Sequence, residues 1–118
     1  SDTTVSLASW ICMPKYGEEN HDLLVRFTRA LFKGMDYSAN EHYDEVSEWV
    51  AKQTATDYDS VYNQRGDAQW LTGKEDGTVA KYYELQRDNF VKAGAVEKDP
   101  APDVSEYVLF DVMIEAGK

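Results

Sequence analysis

The chain has 118 residues, enough for one domain or part of one. Hydrophobic residues make up 42% and aromatics 13%, which supplies a packed core and argues against disorder. Its 22 Asp and Glu against 12 Lys and Arg leave a net charge of -10, which repels phosphate backbones and anionic lipid heads and argues against nucleic-acid binding.

The first element predicted is a strand over residues 5–13. Val5, Leu7, Ile11 and Cys12 with Trp10 suit a strand buried on both faces, and Pro14 removes a donor and ends it. The stretch "GEENHDLLVRFTRALFKGMDYS" predicts an amphipathic helix. Leu24, Phe27, Leu31 and Met35 mark its inner face, flanked by Leu23 and Ala30. Asn20 is the expected N-cap, and Asp22 suits the first turn. A second helix, "NEHYDEVSEWVAKQTA", is expected from Asn40, with Tyr43, Val46 and Val50 inward and Trp49 beside them. "TDYDSVYNQ" reads as a short helix capped by Asp57 and ending near Gly66. "DAQWLTGKEDGT" reads as an ordered loop anchored by Trp70 and Leu71, with Thr72 and Glu75 as a capping box or Thr78 as the cap. "VAKYYELQRDNFVKAG" predicts a helix with Val79, Tyr82, Tyr83, Gln86 and Phe90 inward and Gly94 at C′. A connector with two prolines, "AVEKDPAPD", leads to a final helix from near Asp103 to Gly117.

One strand and about five helices make a mainly α segment. A lone strand over residues 6–13 cannot satisfy its own backbone N–H and C=O groups. Its sheet is expected elsewhere, in a symmetry mate or in the rest of a larger α/β protein.

Chemistry-bearing residues are few. The single cysteine, Cys12, forms no intrachain disulfide and reads as a small buried hydrophobe. His21 and His42 sit in first turns of helices near Asp22, Glu41 and Asp44, but no metal-binding His or Cys spacing occurs. No phosphate loop, nucleophile elbow or dinucleotide fingerprint is present. Glu45 and Glu48 share helical spacing, an ordinary pattern on an acidic surface. The chain therefore reads as no enzyme, with no catalytic residue, no metal and no cofactor. Tyr58, Tyr62 and Trp70 lie in or near irregular segments, where an aromatic lines a ligand pocket or staples a loop onto the core. No apolar run approaches the roughly 18 residues of a membrane span.

The order of elements resembles the second half of substrate-binding proteins of ABC importers, of the nitrate, sulfonate, taurine and bicarbonate type that includes thiamine-precursor binders. In that family a strand ends in a "Lys-x-Phe/Tyr-x-Glu-x-x-Pro" segment; here Lys15, Tyr16, Glu18, Glu19 and Asn20 match, and His21 replaces the proline. The family's "Asn-Pro-Asp-Glu-Ala" helix start corresponds to Asn40, Glu41, His42, Tyr43, Asp44 and Glu45, again without proline. Phe90, Gly94, Ala95 and Val96 fit its "Phe-x-x-x-x-Gly" helix end before a charged, proline-bearing link. The resemblance spans nearly the whole chain. It implies an α/β two-lobe binding protein of the type 2 periplasmic fold, of which residues 1–118 form the C-terminal part of the first lobe. It also implies a small-molecule ligand in the interlobe cleft, docking on ABC permease subunits, and a periplasmic or membrane-anchored extracellular location. The partner strands would come from an N-terminal part outside this sequence, and the segment alone is expected to dimerise. The ligand-binding residues implied are Ser6, Ala8 and Trp10 on the returning strand and Gln69 and Trp70 on the loop, though Trp10 also suits a core position. Taurine-type members place an acidic residue where Ala8 stands, which argues against an amine-bearing sulfonate. The rival expectation is a free-standing acidic helical module that binds a protein partner.

Overall fold

Pro14 opens a helix where it was expected to close a strand. The computed structural model describes residues 9–66, 80–98 and 100–118. Its helices are α1 (Pro14–Glu19), α2 (His21–Asp36), α3 (Tyr43–Thr54), α4 (Tyr58–Gly66), α5 (Ala80–Lys92) and α6 (Phe110–Ala116). A π-helical turn, Tyr37–Glu41, joins α2 to α3, and a 3-10 turn, Val104–Glu106, precedes α6. The described residues are mainly helical and contain no strand. This corrects the strand expected over residues 6–13, of which 9–13 are irregular and 6–8 lie outside the described residues. Extended backbone becomes a strand only by pairing with a neighbour, and the described chain offers none. Met13 is extended (φ -66°, ψ 143°), and its carbonyl accepts the Gly17 N–H at 3.1 Å. Pro14 follows at the first helical position, where its missing N–H costs nothing and its fixed φ is already helical.

Asn20, the expected cap of α2, closes α1 instead. Its side-chain amide donates to the Tyr16 carbonyl at 3.0 Å, while its own carbonyl accepts the Leu24 N–H at 3.0 Å. The inner face of α2 is also turned from the expected one. Val25 and Phe32 are buried, Leu24, Leu31 and Met35 are half-buried, and Phe27 is 43% exposed. A stripe wider than 100° lets the adjacent pairs 24/25 and 31/32 both face inward, and Phe27 falls off its edge.

The chain divides into two units, one holding residues 9–29 and 80–118 and the other residues 30–66. The second unit is built on the α3–α4 helical hairpin, with Phe32, Ser47, Ala51 and Val61 buried. Val50 and Trp49, expected at the face of α3, are exposed; the small residues Ser47 and Ala51 take the buried positions. Small side chains let a neighbouring helix axis come close. Ser47, fully buried, is satisfied by donating its hydroxyl to the Tyr43 carbonyl at 2.7 Å. Asn40 does not cap α3: its amide donates to Asp36 Oδ1 at 3.3 Å, and His42 stands at the N-cap without a side-chain hydrogen bond. Asp57 does cap α4, accepting the Ser60 N–H at Oδ1 (3.2 Å). At the other end of α3, Ala55 is left-handed (φ 53°), and the Thr56 N–H reaches back to the Ala51 carbonyl at 3.1 Å.

In the first unit Val25, Val104, Val112 and Ala116 are buried, and Gly17 packs near Leu109, Cys12 and Leu24. Helix α5 buries no residue fully; Tyr82, Tyr83 and Gln86 are half-buried, and Phe90, expected inward, is exposed. Its end follows the sequence. Gly94 is left-handed (φ 75°), with Ala95 N–H to the Phe90 carbonyl (2.9 Å) and Gly94 N–H to the Val91 carbonyl (3.0 Å), a Schellman motif. Asp103 likewise starts the last helical stretch, accepting the Ser105 N–H at 2.9 Å. The helix expected from there to Gly117 is interrupted at Leu109 (φ -83°, ψ 67°), and α6 begins afresh at Phe110. Val79 and residues 67–78, including the expected capping box, lie outside the described residues.

Candidate functional site

Of the five residues expected to bind ligand, Ser6, Ala8, Gln69 and Trp70 lie outside the described residues. Trp10 is 73% exposed and not in a core. Its ring meets Phe27 edge to face at 5.5 Å. Ile11 (93%) and Met13 (75%) are exposed beside it, and Cys12 is exposed as well, which corrects its reading as a buried hydrophobe. Residues 10–13 thus form an apolar strip at the start of the first unit. Four adjacent positions in water are costly, since each large apolar side chain gains ~1.5–3 kcal/mol when fully buried.

His21 is the centre of a polar cluster in the same unit. Position 21 is the first residue of α2, and the cluster's acids come from α6 at i, i+4 spacing, so both carboxylates lie on one helix face. His21 Nε2 lies 2.9 Å from Glu115 Oε2, and Nδ1 lies 3.8 Å from Asp111 Oδ2. Arg29, two turns further along α2, donates from Nη2 to the Glu115 carbonyl at 3.2 Å. The hydrogen bond to Glu115 raises the His21 pKa above 6.5, and the same bond holds the Glu115 carboxyl below its ordinary range. The histidine in the first turn of α2 is therefore tied across the fold to α6. Nothing local could have shown it, because its partners lie 90 and 94 positions away.

His42 anchors the corresponding cluster in the second unit. Its ring stacks on Tyr37 at 4.0 Å, and Tyr37 lies nearly parallel to Trp49 at 6.4 Å. Glu45 Oε2 lies 3.2 Å from His42 Nδ1 and also accepts the Tyr37 hydroxyl at 3.1 Å. Burial and the bond to Glu45 push the Tyr37 pKa up. Residues 40–45 line an open depression of about 310 Å³. Glu45 faces this ring cluster, and Glu48 pairs with Lys52 at 2.9 Å, so the two acids act separately. Tyr58 and Tyr62 hold α4 to α3. Tyr62 meets Tyr43 edge to face at 4.7 Å, and the Tyr43 hydroxyl donates to the Tyr62 carbonyl. These contacts pack one helix on another, since Tyr58 and Tyr62 both belong to α4 and not to a loop.

The two histidine clusters tie neighbouring helical segments together within their own units. Among the described residues no group of His, Cys, Asp and Glu is arranged to hold a metal ion, and no helix is long and apolar enough to cross a membrane. No protein-family model, curated protein or solved structure matches this chain.

Proposed function

We propose that this chain is the helical part of one lobe of an ABC importer's solute-binding component. That component holds a small anionic or heterocyclic ligand in an interlobe cleft and delivers it to a permease. The observation that carries the reading is the uncovered strip of Trp10, Ile11 and Met13 leading directly into a helical layer. A strand-length apolar segment at the head of helices is what a two-layered lobe needs once its other strands are in place. The succession α2, α3, α4, α5 and a final helical stretch, in the order the resemblance requires, supports it further. On this reading the strip pairs with strands from the N-terminal part of the same protein. The work is capture and release, with no catalytic residue and no cofactor, in the periplasm or on the outer face of a membrane.

The test is a thermal-shift screen of the natural gene product carrying this chain, against inorganic anions, alkylsulfonates and pyrimidines. A ligand that binds only the folded state raises Tm, so a shift with one class supports the reading and no shift with any counts against it.

The same strip supports a second reading, an acidic helical module that pairs with a second copy or a protein partner. Sedimentation of the 118-residue chain, with and without Ile11→Glu, addresses it. A dimer that Ile11→Glu dissociates is the expected result for the isolated chain on either reading. Binding of a small solute by the natural protein then decides for transport.

A further inference from the structure

The His21 cluster joins the first residue of α2 to the last turn of α6, elements that are neighbours only through the fold. We infer that His21 and the Asp111–Glu115 pair form a proton-operated clasp on α6, closed in mildly acidic solution and loosened as His21 loses its proton. The geometry fits a charged imidazole. One ring nitrogen is 2.9 Å from Glu115 and the other 3.8 Å from Asp111, so an imidazolium with both nitrogens protonated faces a carboxylate on each side. Asp111 at 3.8 Å stands beyond hydrogen-bond reach, so a neutral ring keeps at most its Nε2–H bond to Glu115 and loses the charge attraction to both carboxylates. The surrounding charges are Asp22 beside His21 on α2, and Arg29 and Lys118 near Glu115.

The pH window follows from the two shifts. The folded pKa of His21 is raised, so its contribution is complete below 6.5 and is lost as pH rises through the folded value above that. The folded pKa of Glu115 is lowered, so its contribution is present above 4.5 and is lost as pH falls through a value below that. One interaction therefore has two edges, and the clasp is closed between them. Val112 and Ala116 are buried on α6 and carry no titrating group, so opening is expected to loosen the end of α6 without expelling it.

The experiment combines an imidazole NMR titration of the natural protein with hydrogen-exchange protection factors for α6 at pH 6 and pH 8. The His21 signal is assigned by its loss in His21→Gln. The expected midpoint lies above 6.5 and returns toward 6.5 in Glu115→Gln. Protection of α6 is expected to fall between pH 6 and pH 8 in the wild type and to stay level in His21→Gln. A midpoint at or below 6.5, a midpoint unmoved by Glu115→Gln, or an equal fall in both proteins overturns the proposal. The wild-type titration stands even if a variant fails to fold.

Discussion

The two units close their cores in different ways. In the unit of residues 30–66 the principal contacts join consecutive elements, α3 and α4, across a connection of three residues. In the other unit the ties bridge long stretches of chain: Ser9 to Tyr83, Arg29 to Glu115 and His21 to Glu115, separated by 74, 86 and 94 positions. Short connections cost little loop-closure entropy, while long ones require most of the chain to be ordered first. The hairpin unit therefore stands on local chemistry, and its neighbour depends on ties between distant parts of the chain.

The sharpest way to break this contrast is to overfill the hairpin. Ser47→Leu places a large side chain at a site with 0% exposure and is expected to cost about 1–3 kcal/mol. Urea unfolding gives the loss, and hydrogen exchange should localise it to α3 and α4. Val112→Ala in the other unit removes two buried carbons and should cost about 1.6 kcal/mol from transfer alone. Here exchange should quicken at α6, at the parts of α2 tied to it and at α5, whose Tyr83 meets Phe110 of α6 edge to face at 6.3 Å, and a change confined to α6 would contradict the long-range description.

A smaller and more exact comparison uses the two left-handed helix ends. Ala55 ends α3 at φ 53°, and Gly94 ends α5 at φ 75°. Ala55→Gly should stabilise and Gly94→Ala destabilise, each by about 1 kcal/mol, because a side chain is disfavoured in that region. Equal signs in thermal unfolding would show that something other than backbone conformation governs those ends. The smallest effect is the cap of α4. Hydrogen bonds from the Ser60 hydroxyl and N–H hold the Asp57 carboxyl below its ordinary value. Its contribution is present above 3.8 and is lost as acid takes pH through the lower folded pKa. Asp57→Ala should remove that part of the acid sensitivity of Tm, and an unchanged acid limb would count against the cap.

These sites also mark what could be read from residues alone. Asp57, Gly94 and Asp103 act through bonds to residues within five positions, so sequence spacing revealed them. Pro14 and Asn20 have equally local roles but two uses each. Proline can end a strand or begin a helix, and asparagine can cap the helix after it or the one before it. The mainly α character was legible because α2 and α3 carry their own periodicity and α4 and α5 carry end signals, Asp57 and Gly94. The burial of Ser47 and Ala51 was not, because small residues give little hydrophobic signal until a second helix lies against them. The pairing of His21 with Asp111 and Glu115 depends on folding of the whole unit. The expected strand failed for the converse reason: β character is a property of a pair of segments, and no described segment pairs with residues 9–13 as a strand.

The single thiol of the chain falls inside the apolar strip, exposed between Ile11 and Met13. The molecule thus carries a chemical reporter at the place where its partnership is in question. A maleimide or a disulfide reagent should label Cys12 readily wherever the strip stands open, and slowly wherever another surface lies over it. Labelling rate becomes a measure of occupancy, available without a mutation, a tag or any knowledge of what the covering surface is.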